Sequence, residues 1–296
     1  MYRFIVYVSI ILVICFFLIE GNGKNVSPDR NLTNLPVSKA STLDLSQVED
    51  VSDHKLLKVA IIDSGINKSH PDLNISEKNA VNFVEPEKAV IDDFGHGTAI
   101  AGIIAAQSND FGIQGIVSNV EIFDLKVLNG KGNGTIDDFI DAVEWCITNE
   151  IDIINVSFGF QTKDKRLEKV INRALDYNII IVAAAGNTYG LGVDYPAKYE
   201  GVISVNSINQ DLKLLNSSAT GKIDYVAPGY KILSTDNTGG YSAFTGTSFA
   251  AAYVTGAIAK LLKDNNFEKN LGKNNVIDLG EDGYDSSYGY GLLKIK

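Results

Sequence analysis

With 296 residues, 45% hydrophobic and 21% charged, the chain can form one large domain plus a short extra segment. A net charge of −10 at pH 7 excludes nucleic acid, and anionic lipid held by simple electrostatics, but suits a cationic peptide. The two cysteines, Cys15 and Cys146, fall in separate segments, so no disulfide within the domain is expected.

In chain order, Arg3 precedes the apolar run Phe4–Ile19, which ends at Glu20. A run with a basic start, shorter than the ~20 residues of a spanning helix, predicts an export signal over residues 1–23 or an uncleaved N-terminal anchor. Either would put the remainder outside the cytoplasmic membrane, secreted or anchored. Residues 24–53 are polar, with Pro, Asn and Ser, and read as a linker, a short pro-segment or an arm; the folded domain is expected over 54–296. Val59-Ala-Ile-Ile-Asp63 is a short apolar run ending in an acid, the pattern of a buried parallel strand. Gly95-His96-Gly97-Thr98 opens a small-residue helix through Ala106. Strands follow at Val120–Leu128, Asp152–Ser157, Ile179–Ala185 and Gly201–Val205, with helices at Thr135–Thr148 and Arg166–Asp176 between them. Cys146 lies in the first of these helices, beside Trp145, and reads as a small buried hydrophobe. Gly246-Thr247-Ser248 is a tight turn feeding a helix to about Leu262. Strands alternating with helices across short connections predict an α/β fold: a mostly parallel sheet with helices on both faces, in one monomeric domain.

Four polar residues interrupt this apolar pattern at informative places. Asp63 ends a strand, where open α/β sheets place their sites. His96 starts a helix between two glycines, which let other backbone approach. Asn187 follows a strand, and Ser248 sits in the first turn of a helix, where backbone N–H groups lack partners. Each has a plain structural alternative: a turn-capping Asp, a helix-start His, a loop Asn and a helix-capping Ser. Together they supply an orienting acid, a base, an oxyanion donor and a nucleophile.

The segments Ile61-Ile62-Asp63-Ser64-Gly65, Gly95-His96-Gly97-Thr98, Ala184-Ala185-Gly186-Asn187 and Gly246-Thr247-Ser248 resemble the four signatures of the subtilisin-like serine proteases, or subtilases. Asn155-Val-Ser-Phe-Gly159, Tyr225-Val-Ala-Pro-Gly229 and Tyr288-Gly-Tyr-Gly-Leu292 extend the resemblance from Lys55 to the C-terminus. The Asp-His-Ser order is that of subtilisin. The resemblance implies a serine endopeptidase with Asp63, His96 and Ser248 as triad and Asn187 as oxyanion donor. It implies a peptide substrate laid as an added strand between Gly132-Asn133-Gly134 and Ser157-Phe158-Gly159. By the family's Tyr-Pro anchor, Asp194 falls at the floor of the pocket for the residue before the cleaved bond. There it selects a basic side chain, or it is a solvated loop acid. A structural calcium site is implied at Asp72 and Asn109, with carbonyls from Gln107, Phe111 and Ile113, although these are also ordinary turn residues.

The chain departs from the family at Phe249, where methionine is usual, and at Ala252, where proline is usual. Residues 24–53 are also too few for the family's usual propeptide. The short pre-domain region, the acidic pocket and the minimal core resemble bacterial lantibiotic leader peptidases. Two other readings are kept, a broad-specificity secreted degradative subtilase and a catalytically inactive peptide-binding module.

Overall fold

The computed structural model describes residues 56–264 and 276–294. The expected signal (1–23) and linker (24–53) lie outside the described residues, as do Cys15 and His54. Among the described residues no helix is long and apolar enough to cross a membrane.

Seven strands form the body of the sheet: β1 (Leu57–Asp63), β2 (Ala80–Asn82), β3 (Val120–Lys126), β4 (Ile153–Val156), β5 (Ile180–Ala184), β6 (Ile203–Ile208) and β7 (Tyr225–Pro228). A hairpin of β8 (Ile232–Thr235) and β9 (Tyr241–Phe244) stands apart, and β10 (Val276–Ile277) and β11 (Leu292–Leu293) extend one edge. The nine-stranded order is β10-β11-β7-β6-β5-β4-β1-β3-β2, parallel throughout except for β10 against β11. From β1 the chain runs to the edge strand β2, steps back to β3 beside β1, and then crosses to the other side of β1 with β4. That reversal creates a crevice at the carboxyl ends of β1 and β4, the usual place for a ligand in such sheets.

Strand alternation sorts the core into two layers. Val59, Ile61, Ile153 and Val182 point to one face, which is covered by α1 (His96–Ala105) and α4 (Thr247–Lys263). Ala60, Ile62, Ile154 and Ile181 point to the other, covered by α2 (Ile136–Thr148) and α3 (Lys165–Asp176). The outer helix α3 buries Leu167, Val170, Ile171 and Ala174, a single stripe at helical spacing, and keeps charges on the opposite side. By contrast, α4 is buried nearly all round, which its Ala- and Gly-rich sequence allows by letting neighbours come close. A side chain at Gly256 would strike Ile116, for example. Cys146 is fully buried on α2, and burial pushes its thiol up, leaving an inert packing residue.

The sheet with helices on both faces matches the predicted class, and the predicted helices and strands recur with ends shifted by a few residues. His96 is the first residue of α1, at the helix start where it was expected. The β8–β9 hairpin, which delivers the chain to Gly246, was not predicted, because its strands are four residues each and half polar.

Candidate active site

The outer helices and the site helices begin differently. α2 and α3 start on Thr135 and Asp164, whose side chains accept from backbone N–H groups of the first turn. α1 and α4 start on Gly95 and Gly246, which have no side chain to do so. At α4 the first-turn N–H of Ser248 therefore keeps its capacity to bind an oxyanion. At α1 the cap comes from elsewhere. Asp92 accepts from Gly95 N at 2.7 Å and Thr98 N at 2.9 Å, while Ser64 Oγ accepts from Gly97 N at 2.9 Å and donates to Asp92 at 2.8 Å.

This clamp holds His96 against the end of β1. Its Nδ1 lies 2.8 and 2.9 Å from the two oxygens of Asp63, and both residues are about 1% exposed. With Nδ1 carrying the proton toward Asp63, Nε2 is the acceptor. Asp63 Oδ1 also accepts from Ser64 N at 2.8 Å, which fixes the carboxylate. Phe249 meets the imidazole edge to face at 5.5 Å, so the methionine-to-phenylalanine departure supplies a rigid wall. The glycines of the histidine segment answer to contact: a side chain at Gly97 would meet Gly65 O at 2.2 Å. Ala252 is fully buried within α4, which continues through that position without interruption.

Ser248 lies beside Ser157, which follows β4. Its Oγ donates to the Ser157 carbonyl at 2.7 Å. The Asn187 carboxamide is oriented through its oxygen, which accepts from Thr247 N at 3.2 Å and Thr247 Oγ1 at 3.4 Å. Its amide nitrogen is then left for a ligand.

A cleft of about 470 Å³ opens here, lined by Ser248, Asn187, Ser157, Gly159, Asp194 and Lys198 among others. Asp194 sits at its foot between two backbones. Added side chains at Gly159 and Gly186 would meet its Cβ at 2.6 Å and its Oδ2 at 2.4 Å. Burial pushes its carboxyl up to about 6, with Lys198 pulling the other way. The following residue, Tyr195, pairs with Phe160 through backbone bonds of 2.7 and 2.8 Å, closing that wall.

The other predicted edge is near but does not line this cleft. Gly132 closes a turn on Asn129 and packs on the Phe94 ring, which lies 6.4 Å from His96; Asn133 O accepts from Asn129 N, and Gly134 sits on Val127 O. Phe158 is in the cleft through its backbone, because its ring is buried against Phe139 and Phe160.

Asp72 and Asn109 do meet, with Asn109 Nδ2 2.8 Å from Asp72 Oδ1. Oδ2 accepts from Ile113 N at 2.8 Å and Tyr241 OH at 3.0 Å, Gln107 N bonds Asp72 O, and Phe111 N bonds Asn109 Oδ1. Among the described residues Oδ1 receives the Asn109 donor alone. The Asp72 carboxylate and the Asn109 carboxamide are hard oxygen donors of the kind calcium takes, with the carboxamide here presenting its nitrogen to Asp72 and its oxygen to Phe111 N. His70 holds the same turn, bonding Gly240 O and Asp72 N.

Sequence reasoning missed the support beneath the site. Asp92, Ser64 and the buried Lys126, which donates to Ser64 O at 2.6 Å and Asp93 at 2.7 Å, are joined across long stretches of chain. Their only sequence signal is a polar residue where an apolar one would serve.

Residues 54–291 match the Subtilase family. The chain is 37% identical over 250 residues to the minor extracellular protease Epr of Bacillus subtilis (strain 168), covering 82% of this chain and 38% of that protein. It is 41% identical over 212 residues to subtilisin E of the same organism, covering 70% of this chain and 55% of that one. Against subtilisin DY of Bacillus licheniformis it is 34% identical over 250 residues, with 81% and 89% covered. The chain thus spans from about a third to about half the length of the first two of these relatives. It belongs to the subtilase family.

Proposed function

We propose that the protein is an exported serine endopeptidase that cleaves after a basic residue, removing the leader of a lantibiotic-type precursor peptide. The observation that carries the specificity is Asp194, half-buried between Gly159 and Gly186 in the cleft that also holds Ser248. A carboxylate there pairs with an Arg or Lys side chain and leaves an apolar one facing an unmatched charge.

The chemistry is acyl transfer. Ser248 Oγ–H leaves the Ser157 carbonyl and turns to His96; as Oγ bonds to the scissile carbon, Nε2 takes its proton. Asp63 stabilises the imidazolium. The carbonyl electrons move onto oxygen, held by the Asn187 amide and Ser248 N–H. Collapse breaks the C–N bond, and the amine leaves with the proton from Nε2. Water, deprotonated by His96, then releases the acid and restores Ser248. When bound, calcium supplies a structural crosslink held by Asp72, Asn109 and the carbonyls of Gln107, Phe111 and Ile113. At ~100 times its Kd such an ion adds ~2.7 kcal/mol, so EGTA should lower Tm by about 5–10 °C. Asp72→Ala should abolish that response, and an unchanged Tm in EGTA would argue against the site.

Peptides identical except at the residue before the cut test the specificity. The Arg form should exceed the Leu form in kcat/KM by at least ~30-fold, the lower end of what a desolvated charge pair is worth. Equal turnover would sink the assignment. The ratio should also depend on pH. Asp194 is ionised above about 6 in the free enzyme and neutral below it, so Arg preference holds at pH 8 and declines toward pH 5. Taking the ratio cancels the protonation of the triad, common to both peptides.

The second reading, a secreted degradative subtilase, is favoured by the names of the relatives, one of them an extracellular protease. Casein separates the two: a leader peptidase leaves it nearly intact.

A further inference from the structure

β4 carries one polar side chain toward α4, Asn155, set between Ile61 and Val182 of the flanking strands. A fully buried carboxamide in an apolar layer is costly unless its groups are satisfied. Both are engaged, and both lead to the nucleophile. Thr255 Oγ1 donates to Asn155 Oδ1 at 2.8 Å. Asn155 Nδ2 donates to Ser157 Oγ at 2.8 Å, and Ser157 Oγ donates to the Ser248 carbonyl at 3.3 Å. Ser248 Oγ in turn bonds the Ser157 carbonyl, so the two serines grip one another at both ends. Thr255 lies seven residues after Ser248 on α4, two turns down the same face. The threonine and the nucleophile are thus joined both through the helix and through the strand.

We infer that Thr255 is a positioning residue for the acyl-transfer step, acting through Asn155 and Ser157 to set the nucleophile against the cleft wall. Thr255 is buried and does not line the cleft, so it does not touch the substrate. Its hydroxyl donates to the carboxamide oxygen of Asn155, which fixes the way the carboxamide faces and turns the amide nitrogen to Ser157. Ser157 Oγ has a single proton, and with the amide donating to it, that proton goes to the Ser248 carbonyl. Without the hydroxyl, the carboxamide can turn over and accept from Ser157 instead, and the link to Ser248 is lost. Small displacements of a reacting group cost rate rather than binding.

The test is kinetic, on the peptide of the panel that turns over fastest and with active enzyme titrated, so that it does not depend on the Asp194 assignment. Thr255→Val keeps the shape and removes the donor; kcat should fall about 10-fold or more with KM within about 2-fold. Thr255→Ser restores the hydroxyl and should recover most of the rate. Ser157→Ala should lose a similar factor, and the double variant Thr255→Val/Ser157→Ala no more than the larger single loss, because both cut one path. The inference is overturned by any of three results: an unchanged kcat in Thr255→Val whatever its Tm, a Thr255→Ser variant no faster than Thr255→Val, or losses that multiply. Should Thr255→Val fail to fold, an unchanged kcat in Ser157→Ala is equally decisive.

Discussion

Ser248→Ala should reduce kcat by about a million-fold, the loss measured for the nucleophile of subtilisin, a relative of this chain. His96→Ala should cost about as much, and the double variant little more, because the serine and the imidazole act in the same proton transfer. A residual rate of about a thousand-fold or more over water should persist, supplied by Asn187 and by binding alone. The size of the effect follows from the packing. Asp63 and His96 are held 2.8 Å apart and buried, so the proton transfer runs through this one fixed pair. Asn187→Ala should fall between, at about 100–1,000-fold in kcat. If Ser248→Ala retained full activity, the mechanism would be wrong. If it lost activity but still bound peptide, the protein would have become the binding module weighed as an alternative.

Lys68→Met should destabilise the fold by about 1–2 kcal/mol at pH 8, because a carboxyl with a folded value of about 7 can escape a stranded charge by taking up a proton for ~1.4 kcal/mol. Lys68 Nζ lies 3.2 Å from Asp124 Oδ2, with side chains only 6% and 1% exposed. Asp124 also accepts from Ile66 N at 3.1 Å, but its Oδ1 has no hydrogen-bond partner. Burial, only partly offset by Lys68, pushes this carboxyl up to about 7. A carboxyl raised in the folded state contributes stability below its unfolded value, near 3.9, that is lost as pH rises through about 7. Ionised Asp124 therefore opposes folding at pH 8, and Lys68 is what makes it tolerable. Removing the lysine strands the charge. Toward pH 5 Asp124 takes up a proton, and the deficit of Lys68→Met should shrink or vanish. The apolar double variant Lys68→Met/Asp124→Leu should be as stable as the parent or more so, since a buried pair seldom repays its desolvation. Urea unfolding at pH 8 and pH 5 checks both; a deficit independent of pH would contradict the account.

Much of this was legible in the chain because the signals are local. Val59–Asp63 and Ile179–Ala185 are continuous apolar runs closed by Asp63 and Gly186, and few sequences other than buried parallel strands read that way. The glycines around His96 and Ser248 announced close backbone approach, and Gly97 and Gly246 lie against Gly65 O and the Asn187 carboxamide. What stayed hidden depends on residues brought together from far apart. Asp92 reads as a loop acid until Ser64 and Thr98 close on it. Asn155 reads as one polar residue in a strand until Thr255, a hundred positions later, reaches it. Lys68 and Asp124 carry no pattern at all, because two lone charges in sequence say nothing about a shared buried site. The Gly132–Gly134 segment, expected to form the opposite edge of the peptide groove from Ser157–Gly159, flanks Phe94 beside His96 and is not among the residues lining the Asp194 cleft.

The central claim is that Ser248 is a nucleophile activated by His96 and Asp63. Its most direct test is labelling the intact protein with a fluorophosphonate and mapping the adduct by peptide mass spectrometry. One adduct per chain is predicted, on Ser248, formed rapidly in the parent and lost in His96→Ala. An unlabelled Ser248 in folded protein, or labelling that does not depend on His96, would contradict it.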